Sequence, residues 1–119
     1  MDCLFCKIIK GEIPSYTFYE DEIVKVFLDV NPEHNGHSLI IPKKHYLDIY
    51  ELDDETLTHI NKIGKQIGKL LTEKLNADGI TFVQNNGINQ MIKHYHLHVI
   101  PKYKSELIVS AEEIYNILK

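Results

Sequence analysis

Three histidines alternate with three apolar residues near the carboxyl end of the chain, in the order His94, Tyr95, His96, Leu97, His98 and Val99. Because successive side chains of a strand point to opposite faces, this alternation predicts a strand over residues 93–103. The three imidazoles then share one face, and the apolar side chains face the core. A solvated face that carries histidine by chance fits this regularity poorly. The chain is therefore expected to hold three imidazoles together on one rigid surface.

The segment from 57 to 75 has a different period. Its apolar residues recur at steps of three, four and seven, which predicts one long helix. Asp53 or Asp54 is expected to cap the start of the helix, and residues 76–79 end it. Gly64 and Gly68 lie one turn apart inside it. They are either a smooth strip that another backbone approaches closely or two tolerated glycines.

Runs of β-branched and aromatic residues predict four further strands, at 17–20, 23–28, 37–41 and 80–84. Short helices are expected at 6–10 and 110–119. The combination predicts an α+β fold, a five-stranded antiparallel sheet with the long helix packed on it and short terminal helices. No Pro/Gly-rich linker divides the chain, so residues 1–119 are predicted to form a single domain.

The charge balance excludes several classes of function. The 119 residues include 17 acidic and 13 basic side chains, all 13 of them lysine, with a formal net charge of −4. Such a chain is a poor candidate for wrapping nucleic acid. It contains no apolar run near the roughly 20 residues that span a membrane. Its start lacks the order of a signal peptide, so a cytoplasmic location is expected. Any phosphate must be bound by lysine, histidine or backbone N–H groups.

Several imidazoles on one strand suit either a metal site or phosphorus chemistry, since imidazole is both a metal ligand and a nucleophile. Three histidines at alternate positions of a straight strand spread over about 13 Å. One zinc ion with Zn–N bonds near 2.1 Å can scarcely meet all three. The spacing therefore favours attack of an imidazole on phosphorus over an open catalytic zinc site, although a metalloenzyme remains an alternative.

Four segments of the chain resemble the histidine triad (HIT) family of nucleotide hydrolases and transferases, in the branch with a Cys-x-x-Cys opening. They are the opening at 5–14, the strand end at 27–30, the segment 36–45 that begins Gly-His-Ser and ends Pro-Lys-Lys-His, and the histidine strand after Asn85-Asn86-Gly87. The resemblance covers nearly the whole chain.

This resemblance implies a role for each matching residue. His96 would attack an α-phosphate and carry the nucleotide covalently, while His98 and His37 contact phosphate oxygens and the leaving group. Asn85 would contact phosphate or sugar, and Asp29 would accept both ribose hydroxyls. The apolar slot for a purine base would consist of Phe5, Ile8, Phe27, Val30 and Leu39. Plain core packing is the alternative for Phe5, Phe27 and Leu39, and a turn role is the alternative for Asp29.

Two positions depart from the family pattern. Relatives commonly carry Gly-Gln-Ser or Gly-Gln-Thr shortly before the triad, where this chain has Asn89-Gln90-Met91. A thioether cannot donate a hydrogen bond to a leaving group. The Pro-Arg that often follows the triad is Pro101-Lys102 here. The first departure puts the handling of the leaving group and the choice of substrate in question.

Cys3 and Cys6 form a Cys-x-x-Cys, which has the spacing of half a tetrahedral zinc site. The resemblance implies that His45 and His94 complete a structural Cys2His2 site. Two small buried hydrophobic cysteines, with His94 merely continuing the histidine face, are the alternative. No catalytic cofactor is expected.

The function implied by the resemblance is hydrolysis of nucleoside phosphoramidates or related nucleotide conjugates, with release of a purine nucleoside monophosphate. The alternatives are a purine nucleotide-binding module with negligible turnover and a dinucleoside polyphosphate hydrolase. The family habit also implies a homodimer, with Gly64 and Gly68 allowing close approach. His34 and His59 are predicted to be solvated surface residues.

Overall fold

The computed structural model describes residues 2–119 and contains one five-stranded sheet and three helices. All neighbouring strands are antiparallel, in the order β1-β2-β3-β5-β4. The predicted α+β fold class is confirmed. In chain order the elements are α1 (Leu4–Ile9), β1 (Thr17–Glu20), β2 (Val24–Leu28), β3 (Ser38–Pro42), α2 (Asp54–Leu75), β4 (Gly79–Val83), β5 (Leu97–Lys102) and α3 (Ala111–Leu118).

The long helix α2 begins and ends at capping residues that the sequence predicted. The Asp53 carboxylate accepts a hydrogen bond from the Thr56 N–H at 2.7 Å, which satisfies one of the unpaired donors at the helix start. Asn76 takes the left-handed conformation, with φ of 56°, that stops the helix. The two glycines face the chain's own sheet, since a Cβ on Gly64 or Gly68 would lie 3.2 Å from Leu97 or Phe82. Their small size lets α2 lie close to β4 and β5.

The sheet separates two groups of buried side chains. One face carries Val26, Ile40, Leu97 and Val99, and α2 packs against them with its buried isoleucines. The opposite face carries Phe27 and Leu39, which pack against α1. His98 is opposite Leu39 in the register of β3 and β5, so it lies on the α1 side. The two faces therefore divide the molecule into a helix-packed core and a second layer that contains the histidines.

The histidine strand is shorter than predicted. Residues 93–96 are not part of β5, which begins at Leu97. Pro42 has no N–H for a longer ladder between β3 and β5, and its carbonyl accepts a hydrogen bond from His94 Nε2 instead. The Tyr95 N–H turns to the carbonyl of Tyr46. The alternation nevertheless persists, because Tyr95 is buried in the same core as Leu97.

His34 and His59 are not the solvated residues that the sequence predicted. Both are half-buried, and each contacts a carboxylate distant in sequence: His34 Nδ1 lies 2.7 Å from Glu106, and His59 Nε2 lies 2.8 Å from Asp21. The sequence pattern missed these contacts because they join residues 72 and 38 positions apart.

No helix among the described residues is long and apolar enough to cross a membrane.

Candidate active site

A cleft of about 440 Å³ opens on the α1 side of the sheet. It is lined by His96 and His98 and by all seven residues predicted to contact a nucleotide: Phe5, Ile8, Phe27, Asp29, Val30, Leu39 and Asn85. His37 is buried beside His98. The structure thus brings every residue of the predicted nucleotide site to one place.

The ring of His96 is held in one orientation and one tautomer. Its Nδ1 lies 2.9 Å from the carbonyl oxygen of His94, so Nδ1 carries the proton and donates it to that oxygen. The lone pair of the neutral ring is therefore on Nε2. Burial lowers the pKa of His96, which favours this neutral form. The Phe5 ring packs edge-on against the imidazole, with centroids 5.1 Å apart.

His37 and His98 form a hydrogen-bonded pair whose direction is fixed by the backbone. The Glu33 N–H donates to His37 Nδ1 at 3.0 Å, so the proton of the neutral His37 ring is on Nε2. His37 Nε2 lies 2.9 Å from His98 Nδ1, which must accept that proton. The neutral His98 ring consequently carries its own proton on Nε2. A chain of donors thus runs from Glu33 through His37 to His98, which lines the cleft.

Burial lowers the pKa of both His37 and His98, although Asp29 and Glu33 oppose the shift. The carboxylate of Asp29 lies 3.5 Å from His37 Nε2 and accepts the Asn31 N–H at 2.9 Å. This leaves one carboxylate facing a pair of neutral imidazoles at the edge of the cleft.

A second cluster lies directly behind the cleft. The ligand atoms of Cys3, Cys6, His45 and His94 all lie within 4.8 Å of one another. Sulfur-to-nitrogen distances are 3.3 Å from Cys6 to His45 and 3.5 Å from Cys3 to His94, and the two Nδ1 atoms are 3.0 Å apart. Tetrahedral zinc with bonds of 2.0–2.3 Å places its ligand atoms about 3.3–3.8 Å apart. Both sulfur-to-nitrogen distances lie in this range, and the two Nδ1 atoms need to separate by only about 0.3 Å. The four predicted ligands are therefore positioned to bind a metal ion.

The hydrogen bonding of His94 is that of a metal ligand. His94 Nε2 donates to the carbonyl of Pro42 at 2.8 Å, so Nδ1 offers a lone pair toward the two cysteines. Metal-binding histidines commonly donate their other ring N–H to a carbonyl in this way. His94 is also fully buried, which excludes competing water.

Asp29, His37 and His98 also come within 4.8 Å of one another, but their protons are arranged differently. The Glu33 N–H occupies the Nδ1 lone pair of His37, so its Nε2 holds a proton instead of a lone pair. A protonated nitrogen cannot bind a metal. This group is a hydrogen-bond chain, and the Cys2His2 cluster is the candidate metal site.

The remaining wall of the cleft is the loop between β4 and β5, which contributes Asn85, Asn89 and Met91. The loop is fastened to the segment after His45, because the Gln90 side chain donates to the carbonyl of Leu47 at 2.6 Å. Met91 is 88% exposed at the mouth of the cleft. The position singled out from the sequence thus borders the cleft with an apolar side chain.

A model of the HIT domain matches residues 10–105, which is most of the chain and includes both cleft histidines. The chain belongs to the HIT family. The resemblance inferred from the sequence is thereby confirmed, and the Cys-x-x-Cys at residues 3–6 precedes the matched region.

Similar proteins come from several organisms. An uncharacterised HIT-like protein of Methanocaldococcus jannaschii is 44% identical over 118 residues, which cover 97% of this chain and 91% of that protein. Adenosine 5′-monophosphoramidase HNT1 of Saccharomyces cerevisiae is 43% identical over 111 residues, which cover 90% of this chain and 68% of that protein. The solved structure of a zinc-bound histidine triad family protein from Mycobacterium smegmatis matches with a TM-score of 0.92 at 34% identity. The match covers 99% of this chain and 91% of that chain.

Sequence reasoning missed the groups that hold the histidines in place. These are the carbonyls of Pro42 and His94 and the N–H of Glu33, all of them backbone atoms. Every residue carries such atoms, so no side-chain pattern identifies them. The predicted site residues came from the histidine alternation and from the family resemblance, and both of these depend on side chains.

Proposed function

We propose that the chain is a nucleotide hydrolase that cleaves nucleoside phosphoramidates or related nucleotide conjugates and releases a purine nucleoside monophosphate. Membership of the HIT family and the phosphoramidase named among its relatives support a nucleotide substrate. The observation that carries the proposal is the lone pair of His96 Nε2, fixed by the Nδ1 hydrogen bond, in a cleft shared with His98.

In the proposed reaction, His96 Nε2 attacks the phosphorus atom, and the bond from phosphorus to the leaving nitrogen breaks as the new bond forms. The leaving nitrogen takes one proton from His98 Nε2, and solvent in the cleft replaces that proton, so His98 stays neutral and keeps its hydrogen bond from His37. Water then attacks phosphorus, its proton is released to solvent, and the bond from phosphorus to His96 Nε2 breaks. His37 acts through His98 by fixing the orientation of that ring.

The rest of the cleft suits a nucleoside with one phosphate. The aromatic and aliphatic side chains of Phe5, Ile8, Phe27 and Leu39 offer an apolar slot for a purine base, with Val30 at its exposed edge. Asp29 has a carboxylate oxygen for the ribose hydroxyls, and Asn85 offers an amide for phosphate or sugar.

The charge of the cleft favours a phosphoramidate over a dinucleoside polyphosphate. Among the described residues that line the cleft, Asp29 is the one acidic side chain and no lysine is present. A chain of additional phosphates would bring several negative charges with no ammonium group to meet them. A single phosphate needs only the imidazoles and nearby N–H groups.

We also propose that Cys3, Cys6, His45 and His94 hold a structural Zn²⁺. Two thiolates and two imidazoles are a donor set that zinc prefers, and four protein ligands leave no open position for catalysis. The zinc-bound relative supports this assignment. When bound, the ion supplies a cross-link between α1 and the segments at His45 and His94. The proposed reaction needs no catalytic cofactor.

The proposed chemistry is tested by incubating the protein with an adenosine phosphoramidate, quenching the reaction and recording the intact-protein mass. We expect wild type to gain the mass of one adenylyl group and His96→Gly to lose the adduct, with turnover reduced about 10³-fold or more. His59→Gln is the control, because it removes an imidazole that lies outside the cleft.

The exposed thioether of Met91 favours one alternative, a purine nucleotide-binding module with negligible turnover. Nucleotide binding by wild type without an adduct or a released monophosphate would support that alternative. Adduct formation by His96→Gly would instead place the nucleophile on another residue.

A further inference from the structure

The turn that precedes His37 is fastened to the segment between β5 and α3 by the carboxylate of Glu106. One carboxylate oxygen lies 2.7 Å from His34 Nδ1, and the other accepts the Asn35 N–H at 2.6 Å. Burial of Glu106 would raise its pKa, but the hydrogen bonds from Asn35 and His34 outweigh burial and hold the pKa below its usual range. The carboxylate is thus a stable double acceptor, and we call this contact the Glu106 latch (Glu106 with His34 and Asn35).

Asn35 adds three further hydrogen bonds to the same segment. Its amide donates to the carbonyl of Leu107 at 2.8 Å and accepts the Val109 N–H at 3.1 Å. The Tyr103 hydroxyl donates to the Asn35 carbonyl at 2.6 Å. Burial, together with the nearby Glu106 charge, raises the pKa of Tyr103 to about 12, so the phenol keeps its proton for this bond.

These contacts lie one and two residues after Glu33, whose N–H determines the tautomer of His37. Residues 30–33 are exposed and irregular, so side-chain packing does not fix the direction of that N–H. Within the turn, His37 N–H donates to the carbonyl of His34 at 3.1 Å. A turn held at His34 and Asn35 therefore fixes both the His37 backbone and the peptide that faces its ring.

We propose that Glu106 is a positioning residue for the reaction. Through His34 and Asn35 it holds the Glu33 N–H against His37 Nδ1, which keeps the proton of His37 on Nε2 and directed at His98. Glu106 touches neither substrate nor cleft and acts only through the orientation of these rings. Its effect on turnover rests on the proposed function, whereas its effect on the histidine tautomers does not.

Long-range ¹H–¹⁵N spectra of the histidine rings test the proposal in the free protein, because protonated and unprotonated ring nitrogens have distinct shifts. We expect wild-type His37 to show one tautomer, with Nδ1 unprotonated. Glu106→Gln replaces one acceptor with an amide donor, so His37 should show a mixture of tautomers. We expect kcat to fall about tenfold, a loss within the range of a misaligned proton donor, with KM nearly unchanged. Glu112→Gln is the matched control, since it removes an exposed carboxylate from α3.

A Glu106→Gln protein that melts earlier but keeps the wild-type His37 spectrum and kcat would overturn the proposal, because the latch would then serve stability alone. If Glu106→Gln does not fold, Tyr103→Phe removes only the phenol hydroxyl from the same turn. It should mix the His37 tautomers in the same direction and to a smaller extent, and an unchanged spectrum would count against the proposal. If wild type does not turn over the substrate, the spectra still decide the positioning role.

Discussion

At the scale of single residues, His96 and His37 each obtain their tautomer from one backbone atom. A carbonyl beside Nδ1 of His96 leaves the lone pair on Nε2 of that ring. An N–H beside Nδ1 of His37 instead leaves the proton on Nε2. The same side chain therefore presents a lone pair in one place and a proton in the other. The chemistry depends on which ring atom meets the backbone, in addition to the histidine motif itself.

Asp29→Asn tests the proposed ribose contact. The amide keeps an oxygen for the Asn31 N–H but loses the second acceptor that would meet a ribose hydroxyl. We expect kcat/KM for an adenosine phosphoramidate to fall about tenfold, and that for the 2′-deoxy analogue to change much less. Steady-state kinetics with both substrates check this, with the exposed Glu12→Gln as control. An unaltered preference for the ribo substrate in Asp29→Asn would remove Asp29 from the ribose site.

The environments of some residues follow from the sequence and those of others do not, and the difference has a physical basis. The three histidines drew attention because they alternate with apolar residues in the sequence, whereas Asp29 was proposed only from the family resemblance. The predicted environments of His34 and His59 were wrong, because each histidine contacts a carboxylate that is distant in sequence and that only the fold brings near. Sequence patterns describe local periodicity, and these ion pairs are long-range.

At the scale of elements, α1 belongs to both the Cys2His2 cluster and the cleft. Cys3 is the residue before its first turn, and Cys6 lies within it, while Phe5 and Ile8 of the same six-residue helix line the cleft. So short a helix has little stability of its own. Its position must come from packing and from the two cysteines, so the candidate metal site and the shape of the cleft depend on each other.

Removal of the metal should therefore loosen one wall of the cleft. We expect one zinc per chain by elemental analysis, and a strong chelator should lower Tm by roughly 5 °C or more. KM should rise more than kcat falls, because the base slot loses its wall while His96 retains its backbone bond. Cys6→Ser should reproduce these changes and be insensitive to the chelator. A metal-free purified protein whose Tm the chelator does not alter would identify the cluster as a purely hydrogen-bonded one.

The connection from β1 to β2 is held by the carboxylate of Asp21. It accepts the N–H groups of Ile23 and Val24, the Tyr19 hydroxyl and His59 of α2, all at 2.8 Å. Burial would raise the pKa of Asp21, but these hydrogen bonds outweigh it and hold the pKa well below the usual range. One carboxylate thus ties the edge of the sheet to the long helix.

Asp21→Asn should cost about 1–3 kcal/mol of unfolding free energy at pH 7, since it removes a charged acceptor from several donors. Because the folded pKa lies below the unfolded value of about 3.9, the stabilisation is complete above that value and is lost as pH falls toward the folded pKa. Urea unfolding from pH 7 to pH 3 should show wild type approaching the variant at the acidic end. Glu22→Gln, which alters the adjacent exposed carboxylate, should match wild type at pH 7. A gap between wild type and Asp21→Asn that stays constant with pH would contradict this account.

Element positions followed from sequence to within a few residues, and the main error has a clear cause. Local alternation extended the histidine strand back to residue 93, whereas pairing stops at Leu97. A strand exists only where a neighbour offers N–H and C=O groups, and the neighbour there ends at Pro42. The order of the strands, which places β5 between β3 and β4, likewise depends on long-range pairing.

At the scale of the whole molecule, the two edges of the sheet differ. The β1 edge packs with α3, whereas β4 borders a groove of about 630 Å³ shared with α2. Phe82 of β4 is 48% exposed beside this groove. A strand edge next to an exposed aromatic side chain is a ready site for pairing with another chain. We propose that a second copy of this chain covers it, since a two-fold contact between identical edges closes the sheet symmetrically.

Analytical ultracentrifugation checks this arrangement. We expect wild type to sediment as a homodimer and Phe82→Glu as a monomer, because the variant places two carboxylates near the two-fold axis. Ile117→Glu is the matched control, since Ile117 is 46% exposed on α3, which packs at the opposite edge of the sheet, and this variant should remain dimeric. Phe82 also packs beside Gly68, so the monomer's Tm must be measured at the same time to separate lost association from lost folding. A folded Phe82→Glu protein that still sediments as a dimer would move the interface to another surface, and a monomeric wild type would contradict the proposed dimer.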